Sequence, residues 1–434
     1  MAAALAPDVV THGAERRWFG HPPGLTVLFL TEMWEKFSYF GMRALLVYYM
    51  TKALEMRQED ASWVYGGYTS FAYFTPIVGA VLADRWLGRR RAVILGGSIM
   101  AVGHFLMAFP ALFYPALATI AIGNGFFLPS LPSQVRHLYA ADDPRGNTAF
   151  SVYYVGINLG AVLAPLVCGT LGELYGWHYG FAAAGVGMCL GLVIYIVGGR
   201  YLPAEAATVA PRDRVATDAA HSFKRQFGLL LAVIAIVVVF RGAYEQTGNT
   251  VALWADANVD RSAGLDWTIP GTWFQALNPL LVFTLTPMLL LIWARRGRTH
   301  APVAPLRRMA LGAAIVAGSY GLLAFAAAQS TALGVPAHWW WLLAFFVVLT
   351  TGELLILPTG LALFGRLAPG TFAATSIALW FSASFAGNLF AGGLGSLWTR
   401  LGPTHFFMMT SAVAALAALL LRLVDAPARR ALSA

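Results

Sequence analysis

The stretch Gly79-Ala-Val-Leu-Ala-Asp84-Arg85-Trp-Leu-Gly88-Arg89-Arg90-Arg91 gathers four arginines between two apolar runs. The runs on either side, 62–84 and 91–110, are each on the order of 20 residues long, the length at which an α-helix crosses a hydrocarbon core. Short basic loops between such runs stay on the cytoplasmic side of a membrane. The stretch therefore predicts two helices that cross a bilayer and are joined in the cytoplasm.

The composition of the whole chain favours the same class of protein. Of 434 residues, 58% are hydrophobic and 11% are charged, whereas soluble domains carry about 25% charged residues. Backbone groups in lipid must be satisfied within helices or a closed barrel, and the apolar runs are too long for barrel strands. We therefore expect an all-α membrane protein with the lipid bilayer as its partner. The net charge of +9 does not indicate nucleic acid, because the basic residues lie in loops between the runs.

The apolar runs predict about 12 transmembrane helices in two six-helix bundles. The helices are predicted near 24–51, 62–84, 91–110, 113–138, 147–174, 178–199, 226–254, 272–294, 307–328, 338–365, 371–398 and 404–423. The corresponding domains are a cytoplasmic N-terminal segment 1–22, a bundle 23–201, a cytoplasmic linker 202–225, a bundle 226–425 and a cytoplasmic tail 426–434.

Lysine and arginine positions predict the orientation. With both termini in the cytoplasm, 22 of the 29 basic residues lie on that side, four lie outside and three lie within helices. This asymmetry follows the positive-inside rule. The first 22 residues lack an apolar core with a cleavage site, so we expect no signal peptide to be removed. The predicted location is the plasma (inner) membrane of a bacterium.

Two six-helix halves joined by a charged linker resemble the major facilitator fold, in which the substrate binds near the midplane between the halves. The loop 79–91 is similar to the signature that this superfamily carries between its second and third helices. Its counterpart at 294–298 is degenerate. The fold class indicated by this resemblance is the major facilitator fold.

Seven ionisable residues lie at membrane depth, where each costs a few kcal/mol and is expected to face a cavity with a partner. They are Glu32, Glu35, Lys36, Arg43, Arg241, Glu245 and Glu353. The first four, with Tyr39, follow i, i+3, i+4, i+7 and i+11 and so line one stripe of a helix. We interpret them as functional, the alternative being ion pairs that only lock helices together.

Charges of both signs suit a zwitterionic peptide, because a carboxylate can hold its ammonium end and a guanidinium its carboxylate end. Amides such as Asn158 and Asn278 can bind its backbone groups. Glu32 and Glu35 beside Lys36 can bind or release a proton as their pairing changes. Protons are then the coupling ion, and no other cofactor and no metal is expected.

The first helix carries Glu32-Met-Trp-Glu35-Lys36-Phe37-Ser-Tyr39-Phe40-Gly41-Met42-Arg43, which resembles the motif E-x-x-E-R-F-x-Y-Y-G-M-R of the proton-dependent oligopeptide transporter family. The resemblance implies a symporter that imports di- and tripeptides by alternating access. It implies proton coupling by Glu32, Glu35 and Lys36. It places Tyr39, Phe40 and Arg43 towards the peptide.

Further segments are similar to the same family along nearly the whole chain. The resemblance implies that Glu245, in Glu245-Gln246-Thr-Gly248, pairs with Arg43 across the halves in proton coupling. It implies peptide contacts for residues of the second, fifth, eighth, tenth and eleventh helices, namely Tyr68, Asn158, Asn278, Glu353 and Trp380. We expect the chain to be functional as a monomer.

The chain departs from the family pattern at several points. Lys36 replaces an arginine, Phe40 replaces a tyrosine, and Leu128 stands where a lysine neutralises the peptide carboxylate. The stretch between the halves is too short for two additional helices. Arg241 is a candidate compensating cation for Leu128, or else it simply pairs with Glu245 one turn away.

Four alternatives compete with a peptide symporter. An enzyme is not expected, because the sequence offers no metal-ligand cluster, nucleophile with its base or phosphate-binding glycine loop. Charges that meet at mid-depth between two halves favour alternating access over a channel. A family member with an atypical substrate, such as a peptide-like drug or a modified amino acid, and a non-transporting peptide receptor both remain open.

Overall fold

The computed structural model describes residues 20–140, 143–203, 220–264, 267–297, 304–367 and 373–432. Most of the predicted N-terminal segment 1–22 and of the predicted linker 202–225 lies outside these residues, as does the end of the predicted tail 426–434.

Helices make up the described part of the first half, as the apolar runs predict. They are α1 (Pro23–Tyr48), α2 (Gln58–Leu82), α3 (Arg89–Leu106), α4 (Phe113–His137), α5 (Arg145–Ala164) and α6 (Trp177–Val197). Turns of π-helix lengthen three of them, at Tyr49–Ala53 after α1, at Ala83–Leu87 after α2, and at Pro165–Gly169 and Leu171–Tyr175 after α5.

The second half repeats this pattern with one interruption. Its helices are α7 (Ala220–Tyr244), α8 (Thr250–Ala257), α9 (Leu277–Gly297), α10 (Pro305–Leu333), α11 (Trp340–Leu367), α12 (Ala373–Gly395) and α13 (Trp398–Leu432). A 3₁₀ turn, Glu245–Gly248, joins α7 to the short α8, so the two form one span. Two short parallel strands, β1 (Val259–Asp260) and β2 (Ala337–His338), pair outside the spans.

Several predicted boundaries are corrected by these bounds. The seventh helix begins at Ala220, within the stretch predicted as linker. In α13 a short helical segment that begins at Trp398 is separated by a kink at Gly402, whose φ of 71° favours glycine, from the long last helix, which therefore begins close to its predicted start near 404. His338, predicted to begin the tenth helix, lies in β2. These differences fall at helix ends, where sequence patterns constrain the backbone least.

The packing of the helices reveals an internal repeat. In the first half α1 packs on α5 and α6, and α3 packs on α4 and α6. The corresponding helices of the second half make the same pairs, since α7 packs on α12 and α13, and α10 packs on α11 and α13. The halves meet where α2 contacts α12 and α5 contacts α9. This arrangement of two related six-span bundles confirms the predicted fold.

The outer surface suits a lipid solvent. Large apolar side chains are exposed on many helices, among them Val102, Leu291 and Phe325. Within the described residues, eight helices are long and apolar enough to cross a membrane. The helix α1 is not among the eight, because it is too rich in acidic and basic residues. These residues face the interior of the protein rather than the lipid.

Candidate functional site

A cavity of about 220 Å³ lies between the two halves, near the middle of the spans. It is lined by α1, α2 and α5 from the first half and by α7, α9 and α11 from the second. Among the predicted site residues, the structure places six in its wall together with the candidate cation. These are Phe40, Arg43, Asn158, Glu245, Asn278 and Glu353, together with Arg241.

One ionic cluster lies on α1 alone and is here called the α1 cluster, comprising Glu32, Glu35 and Lys36. The Lys36 ammonium lies 2.6 Å from a carboxylate oxygen of Glu35 and 3.3 Å from one of Glu32. The two acids are 2% and 0% exposed. The helical spacing predicted from the sequence brings all three together, and one cation is shared by two buried carboxylates.

A second ionic cluster joins the halves and is here called the crossing cluster, comprising Arg43, Arg241 and Glu245. Nη2 of Arg43 donates to Oε2 of Glu245 at 2.6 Å, and Nη1 of Arg241 donates to Oε1 of the same carboxylate. Arg43 also donates from Nε to the hydroxyl of Tyr65 at 2.8 Å. One buried carboxylate is therefore shared by two guanidinium groups, the reverse of the α1 cluster.

Glu353 forms the acidic part of the cavity wall. Its Oε2 accepts a hydrogen bond of 2.6 Å from Nδ2 of Asn278, which also donates to Thr350 at 3.1 Å. The hydroxyl of Tyr244 also hydrogen-bonds to Glu353, and no ion pair to Glu353 is found among the described residues. The carboxylate can therefore accept further donors from a ligand in the cavity.

The remaining predicted site residues lie outside the cavity wall. Tyr39 packs edge to face on Phe40 at 5.3 Å between ring centroids. Tyr68 is buried on α2, with a hydroxyl that has no hydrogen-bond partner in the described part of the chain. Trp380 packs against Gly360 of α11. Leu128 is half-buried on α4 and is also absent from the wall.

Five polar side chains of the wall received no role in the sequence analysis. They are Tyr73, Tyr154, Tyr244, Thr247 and Gln275. Tyr244 could have been predicted from the sequence as a wall residue, because it directly precedes Glu245 in an otherwise apolar run. Tyr73 is identified by its contact with Arg241, whose Cζ lies 5.0 Å from the ring centroid. Within the described residues, no group of His, Cys, Asp and Glu side chains could hold a metal ion.

The polar contacts between the halves concentrate at the face of the bundle opposite the basic loop 85–91, here called the sealed face. Glu173, at the end of the π turns after α5, accepts hydrogen bonds from the backbone nitrogens of Gly271 and Thr272 at 2.9 and 2.8 Å. Its carboxylate also lies 3.6 Å from Arg261. The first half thus caps the start of the α9 segment.

A second set of charges extends this contact. Asp256 lies 3.1 Å from Arg261 of its own half and 2.7 Å from Lys52 of the other. Glu173, Arg261, Asp256 and Lys52 therefore alternate in sign, and we call these four residues the clasp. Sequence reasoning missed the clasp, because its members are far apart in the chain and lie at helix ends where charges are common.

Comparisons with known proteins agree with this geometry. A family model described as the POT family matches residues 90–227 and 206–406. The chain is 31% identical to the peptide transporter YePEPT of Yersinia enterocolitica, covering 96% of each protein. It is 29% identical to a di-/tripeptide transporter of Lactococcus lactis subsp. cremoris, covering 95% of this chain and 97% of the relative.

A solved structure shares the architecture over the same extent. The crystal structure of peptide transporter POT in complex with sulfate superimposes with a TM-score of 0.87 at 29% identity, covering 96% of each chain. The identity, the coverage and the shared arrangement of helices lead to one conclusion. This chain belongs to the POT family, the family of proton-dependent oligopeptide transporters.

Proposed function

We propose that this protein is a proton-coupled symporter that imports di- and tripeptides by alternating access. The observation that carries the proposal is the cavity between the halves, whose wall holds the Arg43 and Arg241 guanidiniums as well as the carboxylate of Glu353. A short peptide at neutral pH has one ammonium and one carboxylate, so a cavity with both signs complements it. The relatives named as peptide transporters support the same substrate class.

The α1 cluster supplies the proton site in this proposal. Its two carboxylates share one cation, so the uptake of one proton leaves one acid paired with one base. Burying an unpaired charge is costly, which couples the presence of the proton to the arrangement of the surrounding helices. Membrane potential adds about 2.3 kcal/mol per charge at 100 mV. An inward proton gradient can therefore drive accumulation.

The crossing cluster and the clasp supply the gate. Arg43 and Glu245 come from opposite halves, so their 2.6 Å contact exists only while the halves are closed on one side. The positive-inside rule assigns the basic loop to the cytoplasm, which makes the sealed face the outer one. On this assignment the structure is closed to the exterior and both termini are cytoplasmic. We further propose that the protein works as a monomer in the inner membrane.

The size of the cavity favours a second candidate substrate. Its volume of about 220 Å³ is smaller than the roughly 300–1,000 Å³ of most ligand pockets, and Leu128 supplies no cation. A small zwitterion, such as a modified amino acid or a peptide-like drug, fits these features. Competition of such compounds with labelled dialanine separates the two candidates.

The test of the proposal is uptake of labelled dialanine into liposomes that contain the purified protein, with and without an inward proton gradient. We expect accumulation that depends on the gradient, and loss of accumulation in Glu35→Gln. The matched control is Glu55→Gln, because Glu55 is an exposed acid after α1. Exchange without accumulation in the wild type would refute proton coupling. Absence of any response to short peptides would refute peptide transport.

A further inference from the structure

Arg241 is a buried cation whose position the peptide-transport fold alone does not explain. It lies on α7 with 6% of its surface exposed, and it forms part of the cavity wall. Gly387 of α12 gives it space, because a Cβ at that glycine would lie 2.5 Å from the Cβ of Arg241. The guanidinium then extends over the ring of Tyr73 towards Glu245.

The hydrogen-bonding capacity of Arg241 is incompletely used. Its Nε is buried and has no hydrogen-bond partner in the described part of the chain. A guanidinium has five N–H donors in a planar fork suited to a carboxylate. A buried donor that lacks an acceptor costs free energy comparable to a lost hydrogen bond. Because Arg241 also forms part of the cavity wall, a carboxylate bound in the cavity can supply a further acceptor to its guanidinium.

The charges around Arg241 also require an anion. Glu245 is the acid that both Arg43 and Arg241 contact, so the crossing cluster has one positive charge in excess. The wall of the cavity carries the balancing negative charge on Glu353, which is held by Asn278 of α9 rather than by a cation. The cavity is consequently dipolar, with a cationic part at α1 and α7 and an anionic part at α11.

We propose that Arg241 binds the carboxylate end of the transported substrate, opposite the site for its ammonium end that the family resemblance implies at Glu353. The proposal deepens the proposed function and rests on it. Leu128 of α4 has no charge to offer, and it does not line the cavity. The cation that takes the place of the missing one therefore comes from the second half, beside Arg43 of the first. Both ends of the substrate then contact helices of the second half, which carry it as the two halves rock.

A purely structural Arg241 would behave differently. If it served only to neutralise Glu245, its loss would weaken all ligands alike, because the damage would lie in the protein and not in one contact. If it binds the carboxylate, its loss would weaken only ligands that possess one. Dialanine and dialanine amide share the ammonium end and differ only in the carboxylate. Measuring both ligands with wild type and with an Arg241 variant therefore gives a double-mutant cycle, in which the loss of the ligand carboxylate is the second change.

The experiment measures binding of dialanine and of dialanine amide to purified full-length protein by isothermal titration calorimetry at one pH. We expect wild type to prefer dialanine by at least about tenfold, which corresponds to about 1.4 kcal/mol. In Arg241→Gln we expect this preference to fall below about threefold, with the affinity for the amide nearly unchanged. Arg307→Gln is the matched control, since Arg307 pairs with Asp425 between α10 and α13 and lies outside the cavity wall.

Arg241→Lys keeps the charge and removes Nε and the planar fork, and it carries the test if Arg241→Gln does not fold. We expect it to show a preference between those of wild type and Arg241→Gln. A full preference for dialanine in the Gln variant, or in the Lys variant if only that one folds, would overturn the inference while leaving peptide transport intact. A wild type that binds neither ligand would instead overturn the proposed function on which the inference rests.

Discussion

Two ionic clusters lie along α1 with opposite stoichiometry. In the α1 cluster one cation, Lys36, serves two carboxylates, whereas in the crossing cluster one carboxylate, Glu245, serves two guanidiniums. The chemistry of the surplus groups differs. A carboxylate can lose its charge by taking up a proton, but a guanidinium in a protein stays charged. The first arrangement suits a group that exchanges protons, and the second suits a group that attracts an anion.

The clusters also differ in how they respond to movement of the halves. All members of the α1 cluster belong to one helix, so their contacts survive any rigid-body motion of that helix. The crossing cluster includes Arg43 from α1 and Glu245 from the α7 segment, and it must open when the halves separate. Arg241, one helical turn from Glu245, remains with that carboxylate in either state. Separation therefore never leaves Glu245 without a cation.

The largest effect is expected from removing the shared member of each cluster. Glu245→Gln leaves two buried guanidiniums without an anion and should lower the free energy of unfolding by about 3–5 kcal/mol. Lys36→Gln leaves two acids that can take up protons, so its cost should be no more than about 2 kcal/mol. Thermal unfolding of both variants in the same detergent measures the difference. Equal losses would contradict the proposed contrast between the clusters.

A smaller effect is expected from weakening the clasp while both clusters stay intact. Glu173→Gln keeps one acceptor oxygen, enough for one of the two hydrogen bonds from Gly271 and Thr272, and loses the charge facing Arg261. Charge-assisted hydrogen bonds are worth about 1.5–3 kcal/mol, so the open state at the sealed face should become at least about fivefold more populated.

The measurement is labelling of Thr247→Cys by an impermeant thiol reagent from the sealed face, in a background without Cys168 and Cys189. Thr247 lines the cavity, so its labelling reports opening. Glu55→Gln is the control, because Glu55 is an exposed acid after α1 that is not part of the clasp. Unchanged labelling in the Glu173 variant would show that the clasp does not hold the halves together.

The smallest effect is expected from Lys36→Arg, which preserves the charge of the α1 cluster. Lys36 acts through its ammonium on two acids, and an arginine at the same place can also serve both. Gradient-driven accumulation of dialanine should stay within about twofold of wild type, because the positive charge that both acids contact is retained. A loss as large as that of Glu35→Gln would mean that the point charge of lysine is essential.

Local spacing made the α1 cluster predictable from the sequence. Residues separated by three, four or seven positions share a helix face whatever the rest of the chain does, and the same rule placed Arg241 beside Glu245. The ionisable cavity residues were predicted from the cost of placing charge at membrane depth, whereas the role of Phe40 and the pairing of Arg43 with Glu245 came from a family resemblance, which carries information on long-range packing. Asn278 and Glu353, 75 positions apart, meet at 2.6 Å as a result of that packing.

Contacts that depend on how distant parts of the chain pack together could not be predicted from the sequence. The clasp depends on how the end of the α5 segment approaches the start of α9, and the sequence carries no periodic signal for such a contact. Tyr73 and Tyr244 became recognisable as wall residues only once the halves were in place. The early start of α7 at Ala220 follows from the same limitation, because its polar first two turns, which include Lys224 and Arg225, resemble a linker.

The close approach of α2 and α12 at the sealed face has a kinetic consequence. A methyl group added at Gly66 would lie 2.5 Å from the Cα of Gly392, so backbone faces backbone at this crossing. Interdigitated side chains must leave their holes when two helices part, whereas bare glycine surfaces separate without any rotamer change. The activation barrier to opening is therefore set by the polar contacts around the seam. Substitutions of single surface charges around this seam are therefore expected to change the turnover rate without repacking of a core.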